Sequence, residues 1–172
     1  CRSRPTNGIV TAGVHGNRAV RRVRRVVTAL TILVPVLNRP HRVQPLLESI
    51  AASTPDPFSV LFITDDHDRK THAQIARYEA PGVSMISPGG TYANKIACGV
   101  EHTDSPHVFL GADDLHFRPG WLEAALAYRA EVVGVNDLLE RRHRPNHATH
   151  FLMTRDYAEA TTIDGGRGPL HH

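Results

Sequence analysis

The sequence predicts an α/β domain with a largely parallel sheet flanked by helices. Three observations carry this. Short apolar, β-branched runs alternate with stretches whose apolar residues recur at helical spacing, the pattern of repeated strand–helix–strand units. The helical stretches fall where parallel strands need their right-handed crossovers. The chain has 172 residues, 41% hydrophobic and 22% charged, enough for one domain with a real core and ordinary for a globular protein.

Folded sequence is expected from about residue 29. The run from Thr31 to Leu37 reads as the first strand, ended by Asn38-Arg39-Pro40. Pro40 suits the first turn of a helix, where its missing N–H costs nothing. Val43, Leu46, Leu47, Ile50 and Ala51 then form an amphipathic stripe, which Thr54-Pro55-Asp56-Pro57 breaks. Phe58 to Thr64 is the second strand and stops at Asp65-Asp66. A polar helix follows over about Arg69 to Tyr78, then a short third strand from Val83 to Ile86. Beyond the turn at Gly89-Gly90, Ala93, Ile96, Ala97 and Val100 mark another helix, on which Cys98 reads as a small buried apolar side chain. His107 to Leu110 is the fourth strand and leads into Gly111-Ala112-Asp113-Asp114. Trp121, Leu122, Ala125 and Tyr128 mark a helix, with Trp121 expected in the core or a lid. Glu131 to Val135 is a fifth strand running to Asn136-Asp137, and residues 140–149 read as a polar, His-rich loop. Thr149 to Met153 forms a last strand, followed by a short helix near Asp156–Ala160.

Charge is distributed unevenly. The first 30 residues hold seven arginines and no acid, whereas the remaining 142 carry 13 basic and 17 acidic side chains. Residues 1–28 are therefore expected to be a basic, disordered arm, and residues 29–172 the folded domain. The arm lacks aromatic residues for base stacking, so nucleic acid is not the expected partner. No apolar run reaches the roughly 20 residues a transmembrane helix needs. The only cysteines, Cys1 and Cys98, make neither zinc spacing nor a disulfide framework, which points to a reducing cytoplasm. Pro145 interrupts His143, His147 and His150 as a helical zinc triad.

Two strands stop at paired carboxylates, Asp65-Asp66 and Asp113-Asp114. In a parallel sheet these strand ends share one edge, where open α/β sheets bind ligands. Hard divalent cations such as Mg²⁺ and Mn²⁺ take oxygen ligands and bridge to phosphate. The residues alone leave two readings: a metal–diphosphate site, or an acidic turn that caps the next helix. Gly89-Gly90 and Lys95 add backbone amides and a cation for phosphate at the same edge. Neither a dinucleotide fingerprint nor a P-loop is present.

Four segments in order, Val34-Pro35-Val36-Leu37-Asn38-Arg39, Phe62-Ile63-Thr64-Asp65-Asp66, Tyr92-Ala93-Asn94-Lys95 and Phe109-Leu110-Gly111-Ala112-Asp113-Asp114, resemble the successive motifs of family 2-like glycosyltransferases over roughly residues 30–165. The compact form is similar to versions carried by bacteriophages. The resemblance implies a GT-A-like, Rossmann-like fold, truncated at its C-terminus. It also implies a sugar transferred from a nucleotide-diphospho-sugar to an acceptor hydroxyl, inverting, with Mn²⁺ or Mg²⁺. It places Pro35, Leu37, Asn38 and Ala112 beside the nucleotide, Asp65 or Asp66 on the base edge, and Lys95 near the diphosphate or ribose. Asp113 falls on the metal-ligating acid of the family's Asp-x-Asp motif. Gly111 stands where the first acid would be, so Asp114 is the candidate substitute. Asp114 is further expected to turn into the sheet edge and steady Asp113. Asp137 and His150 are candidates on the acceptor side, and the catalytic base is expected beyond His172. Rival readings are a non-catalytic nucleotide- or glycan-binding module and a sugar-phosphate nucleotidyltransferase. The second usually needs a Gly-rich basic loop after the first strand, which Asn38-Arg39-Pro40 is not.

Overall fold

The computed structural model describes residues 28–54, 57–78, 80–135 and 148–163, the last three by backbone only. The strands are β1 (Leu30–Pro35), β2 (Phe58–Ile63), β3 (Val83–Ile86), β4 (His107–Leu110), β5 (Val132–Val135) and β6 (His150–Thr154). The helices are α1 (Pro40–Ser53), α2 (Arg69–Ala76), α3 (Tyr92–Glu101), α4 (Trp121–Leu126) and α5 (Arg155–Ile163). The basic arm, apart from Thr28, and the loop holding His143 and His147 lie outside the described residues.

The six strands form one sheet in the order β3-β2-β1-β4-β6-β5. β1 pairs in parallel with both β2 and β4, and β2 with β3. β6 runs antiparallel to β4 and to β5, so the sheet is mixed on that side. Direction is not written in a five-residue apolar run, and in this largely parallel sheet β6 is the reversed strand. β5 still runs with β4, because both oppose β6.

Period-two alternation sorts the strand side chains into two cores. Leu30, Ile32 and Val34 of β1, with Val60, Phe62 and Phe109, pack beneath Val43, Leu46 and Ile50 of α1, Ile75 of α2 and Leu122 of α4. Leu33, Leu61, Ile63, Val108 and Leu110 face the other way, onto Ile96 and Val100 of α3 and Ala158 of α5. Trp121 packs edge-on against Phe109 at 4.9 Å between ring centroids, and its Nε1 donates to Thr54 Oγ1 at 3.0 Å. It is a core residue. α1 carries Pro45 in its interior on an exposed turn, a site the hydrophobic stripe does not reveal. α3 lies so close to the sheet that a Cβ at Gly99 would stand 2.7 Å from Ile63 Cδ1. Cys98 is buried on α3 as expected, but its sulfur is disulfide-bonded, which corrects the expectation of no disulfide and removes the cysteine argument for a reducing cytoplasm. Thr31 is the polar exception inside β1, and its hydroxyl bonds Ser59, Thr103 and Ser105 at the opposite edge from the acids.

Candidate active site

The strand order makes one place on this sheet special. From β1 the chain winds outward through β2 to β3, and β4 then lies on β1's other side. The two windings part between the carboxyl ends of β1 and β4, the switch point at which open α/β sheets bind ligands. The register brings Leu33 opposite Leu110, and the Gly111 N–H extends the ladder by donating to Leu33 O at 3.0 Å. The segments Val36–Arg39 and Gly111–Asp114 therefore leave the sheet side by side.

An ion pair joins these two segments. Arg39 Nη1 donates to Asp113 Oδ1 at 3.0 Å. Asp113 is only 7% exposed, while the Arg39 side chain is 52% exposed. An unpaired carboxylate so enclosed would be costly, and the guanidinium supplies the counter-charge. Asp114 next to it is exposed, and Ala112 is half-buried. The two aspartates are non-equivalent, but not through strand alternation, because β4 ends at Leu110 and both lie in the turn that follows. The expectation that Asp114 would be the one turned into the sheet edge is corrected. Asp113 takes the enclosed position because its side chain points at the β1 loop, where Arg39 meets it.

Gly111 has a packing reason for lacking a carboxylate. A Cβ there would stand 3.3 Å from the Phe109 ring and 3.4 Å from the Leu33 carbonyl oxygen. A side chain at this position would crowd the Phe109 ring by a few tenths of an ångström.

The β1 loop is fixed from below. Asn38 adopts a left-handed φ of 55°, uncommon for a residue with a side chain but best tolerated by Asn and Asp. Its N–H donates to Asp68 Oδ2 at 2.6 Å, and Asp68 Oδ1 caps α2 through the Thr71 N–H at 3.2 Å. Burial would raise the Asp68 carboxyl, but hydrogen bonds from Thr71 and Asn38 and the nearby His72 outweigh it and hold it below its ordinary value. Sequence reasoning missed this residue as a support of the site. The readable signal was its place as an N-cap before a polar helix. The role of Arg39 was also missed, and a pairing across 74 residues leaves no local signal.

A second ion pair sits at the end of β2, where Lys95 of α3 reaches Asp65. Asp66 beside it is exposed. Pro35 ends β1 opposite Ile63, and Leu37 is exposed on the loop beyond. The amino end of α3, expected to offer free amides to phosphate, is capped: Thr91 Oγ1 accepts from Asn94 N–H at 3.3 Å. α1 has no side-chain cap. Because β6 runs antiparallel, its first residue, His150, lies at the same edge, opposite Val135. The His150 Nδ1 is buried without a hydrogen-bond partner. Asp137 lies outside the described residues, as do the residues after Ile163.

Among the described residues no three His, Cys, Asp or Glu side chains converge as a metal cage. The donor set suits Mg²⁺ or Mn²⁺ instead, which take one or two carboxylates and complete their shells with phosphate oxygens and water. Asp113 already holds a cation by one oxygen, so it tolerates positive charge there. No described helix is long and apolar enough to cross a membrane.

The sequence matches the profile of glycosyl transferase family 2 over residues 31–145. No curated protein sequence matches the chain. Among solved structures, the fold is similar to the mannosyltransferase PcManGT from Pyrobaculum calidifontis, solved with GDP-Man and Mn²⁺. The TM-score is 0.64 at 15% identity, over 77% of this chain and 46% of that one. It is also similar to TarS 1–349 of S. aureus, with a TM-score of 0.59 at 16% identity over 78% of this chain and 49% of that one. A third is glucosyl-3-phosphoglycerate synthase from Mycobacterium tuberculosis, solved with Mn²⁺, UDP and glucosyl-3-phosphoglycerate. Its TM-score is 0.56 at 11% identity, over 76% of this chain and 58% of that one. The chain thus spans about half the length of the structures it resembles.

Proposed function

The chain belongs to glycosyl transferase family 2, and on that premise we propose that it moves a sugar from a nucleotide-diphospho-sugar to an acceptor hydroxyl. The observation that carries the reading is the charged rim at the switch point between β1 and β4, where Asp113 stands enclosed. The ligands of two structural neighbours, GDP-Man with Mn²⁺ and UDP with Mn²⁺, support it.

Pro35, Leu37, Asn38 and Ala112 would border the nucleotide. Asp65, with Asp66 beside it, would read the base edge, and Lys95 would bring positive charge toward ribose or diphosphate. Asp113, assisted by Asp114, would hold Mn²⁺ or Mg²⁺. When bound, the ion would supply Lewis-acid neutralisation of charge on the departing diphosphate. Lys95 would add electrostatic stabilisation from the protein. In the inverting reaction, the acceptor oxygen bonds to the anomeric carbon as the bond to the diphosphate breaks. The nucleoside diphosphate leaves with that electron pair, and the hydroxyl proton passes to a carboxylate base. That base is assigned beyond His172, and Asp137 and His150 to the acceptor side. Residues 1–27 are proposed to be an arm outside this domain; Thr28, placed in the arm by the sequence, is hydrogen-bonded to Ser105 of the domain.

The test is calorimetric titration with UDP and GDP, with and without Mn²⁺, beside a product assay on their sugar conjugates. Metal-dependent nucleotide binding with turnover is the expected result. Binding without turnover would make the chain a binding module, and metal-independent binding would refute the site.

A further inference from the structure

We propose that Arg39 is an exchangeable counter-ion. It holds Asp113 until a divalent ion and a nucleoside diphosphate arrive together, and it then moves its guanidinium to the diphosphate. The inference rests on the metal reading of Asp113 given above and adds a coupling between the two ligands.

The geometry supplies both halves of the exchange. Arg39 Nη1 lies 3.0 Å from Asp113 Oδ1, inside the space a dication bound to that oxygen would need. Like charges so close repel, so the guanidinium and the ion compete for the carboxylate. An ion arriving alone must displace Arg39 and leave it without an anion. An ion arriving with a diphosphate brings acceptor oxygens suited to the planar fork of the guanidinium. The uncapped amino end of α1, which begins at Pro40 just after Arg39, adds a positive dipole end on the same side.

Arg39 is also built to move at one end only. Its backbone follows Asn38, whose N–H is tied to Asp68. Its side chain is half-exposed, whereas the Asp113 it touches is enclosed. The arginine head can therefore swing while its root and its partner stay in place. Arg39 is a positioning residue in this scheme, and its signature is thermodynamic coupling.

The test is Mn²⁺ titration of the full 172-residue chain, followed by the resonance of free Mn²⁺, alone and with saturating UDP or GDP, whichever binds the wild type more tightly. In the wild type the nucleotide should tighten Mn²⁺ binding by about five-fold or more, the scale of ordinary coupling between sites. Arg39→Gln should tighten nucleotide-free Mn²⁺ binding by about five-fold or more and reduce the coupling toward unity. Arg39→Lys keeps the charge without the fork, so it should restore the competition seen with Mn²⁺ alone while still showing weakened coupling. Unchanged or weaker nucleotide-free Mn²⁺ binding in Arg39→Gln would overturn the proposal. Undiminished coupling in Arg39→Lys would do the same, and carries the test if the glutamine variant does not fold. Asp113→Asn separates this proposal from its premise. If that variant binds Mn²⁺ as the wild type does, the metal site itself is wrong. If it loses Mn²⁺ while both Arg39 variants behave as wild type, only the exchange is wrong.

Discussion

Asp68 offers the clearest way to perturb the site without touching it. Asp68→Ala removes a 4% exposed carboxylate that serves two N–H groups, those of Asn38 and Thr71. A hydrogen bond to a charged group contributes about 1.5–3 kcal/mol, and the short Asn38 bond belongs in that range. Loss of an N-cap costs about 1 kcal/mol more. Allowing for relaxation, the expected destabilisation is about 2–4 kcal/mol. For a domain of this size that lowers Tm by about 4–16 °C. Asp68→Asn keeps one acceptor and should cost about 1 kcal/mol. The pH dependence has a definite sign. The folded carboxyl titrates below its ordinary 3.8, so its stabilisation is complete above that value and is lost as pH falls through the lower folded value. Wild type and Asp68→Asn should therefore converge in acid. Because Asn38 holds its left-handed turn through Asp68, the alanine variant should also bind nucleotide more weakly at temperatures where it remains folded. Urea and thermal melts from pH 2 to 7, with nucleotide titration at low temperature, make the measurement. An alanine variant melting within about 2 °C of wild type would refute the reasoning.

Asp113→Asn should abolish most Mn²⁺-dependent binding of UDP or GDP in calorimetry, whereas exposed Asp114→Asn should reduce it less and leave stability nearly unchanged. Gly111→Asp would restore the motif's first acid in sequence, yet its Cβ would press on Phe109 and the Leu33 carbonyl. It should cost about 1–3 kcal/mol in urea melts and should not improve Mn²⁺ binding. Gly99→Ala drives a methyl onto Ile63 and should cost about 1–3 kcal/mol with unchanged nucleotide affinity in the folded protein. Removing residues 1–27 should shift the melting temperature by less than about 5 °C, since a larger fall would show the arm docked on the domain.

The alternation of strands and helices and the edge that carries the charges are legible along the chain. Each follows from local information: continuous apolar runs in the strands, a period near 3.6 in α1 and α3, and acids placed directly after apolar runs. The motifs after β1, β2 and β4 were legible for the same reason, because each is contiguous. Tertiary structure decided the rest. It reversed β6, which brought His150 to the active edge, since a short apolar run has no stated direction. It chose Asp113 over Asp114 for enclosure, because the β1 loop meets one side of the β4 extension only. It narrowed the space at Gly111 with Phe109 and the Leu33 carbonyl, a constraint set by β1 and β4 lying side by side. It joined Arg39 to Asp113 and Asn38 to Asp68 across 74 and 30 residues. Those pairs depend on where separate loops meet in space, and sequence patterning carries information only along the chain.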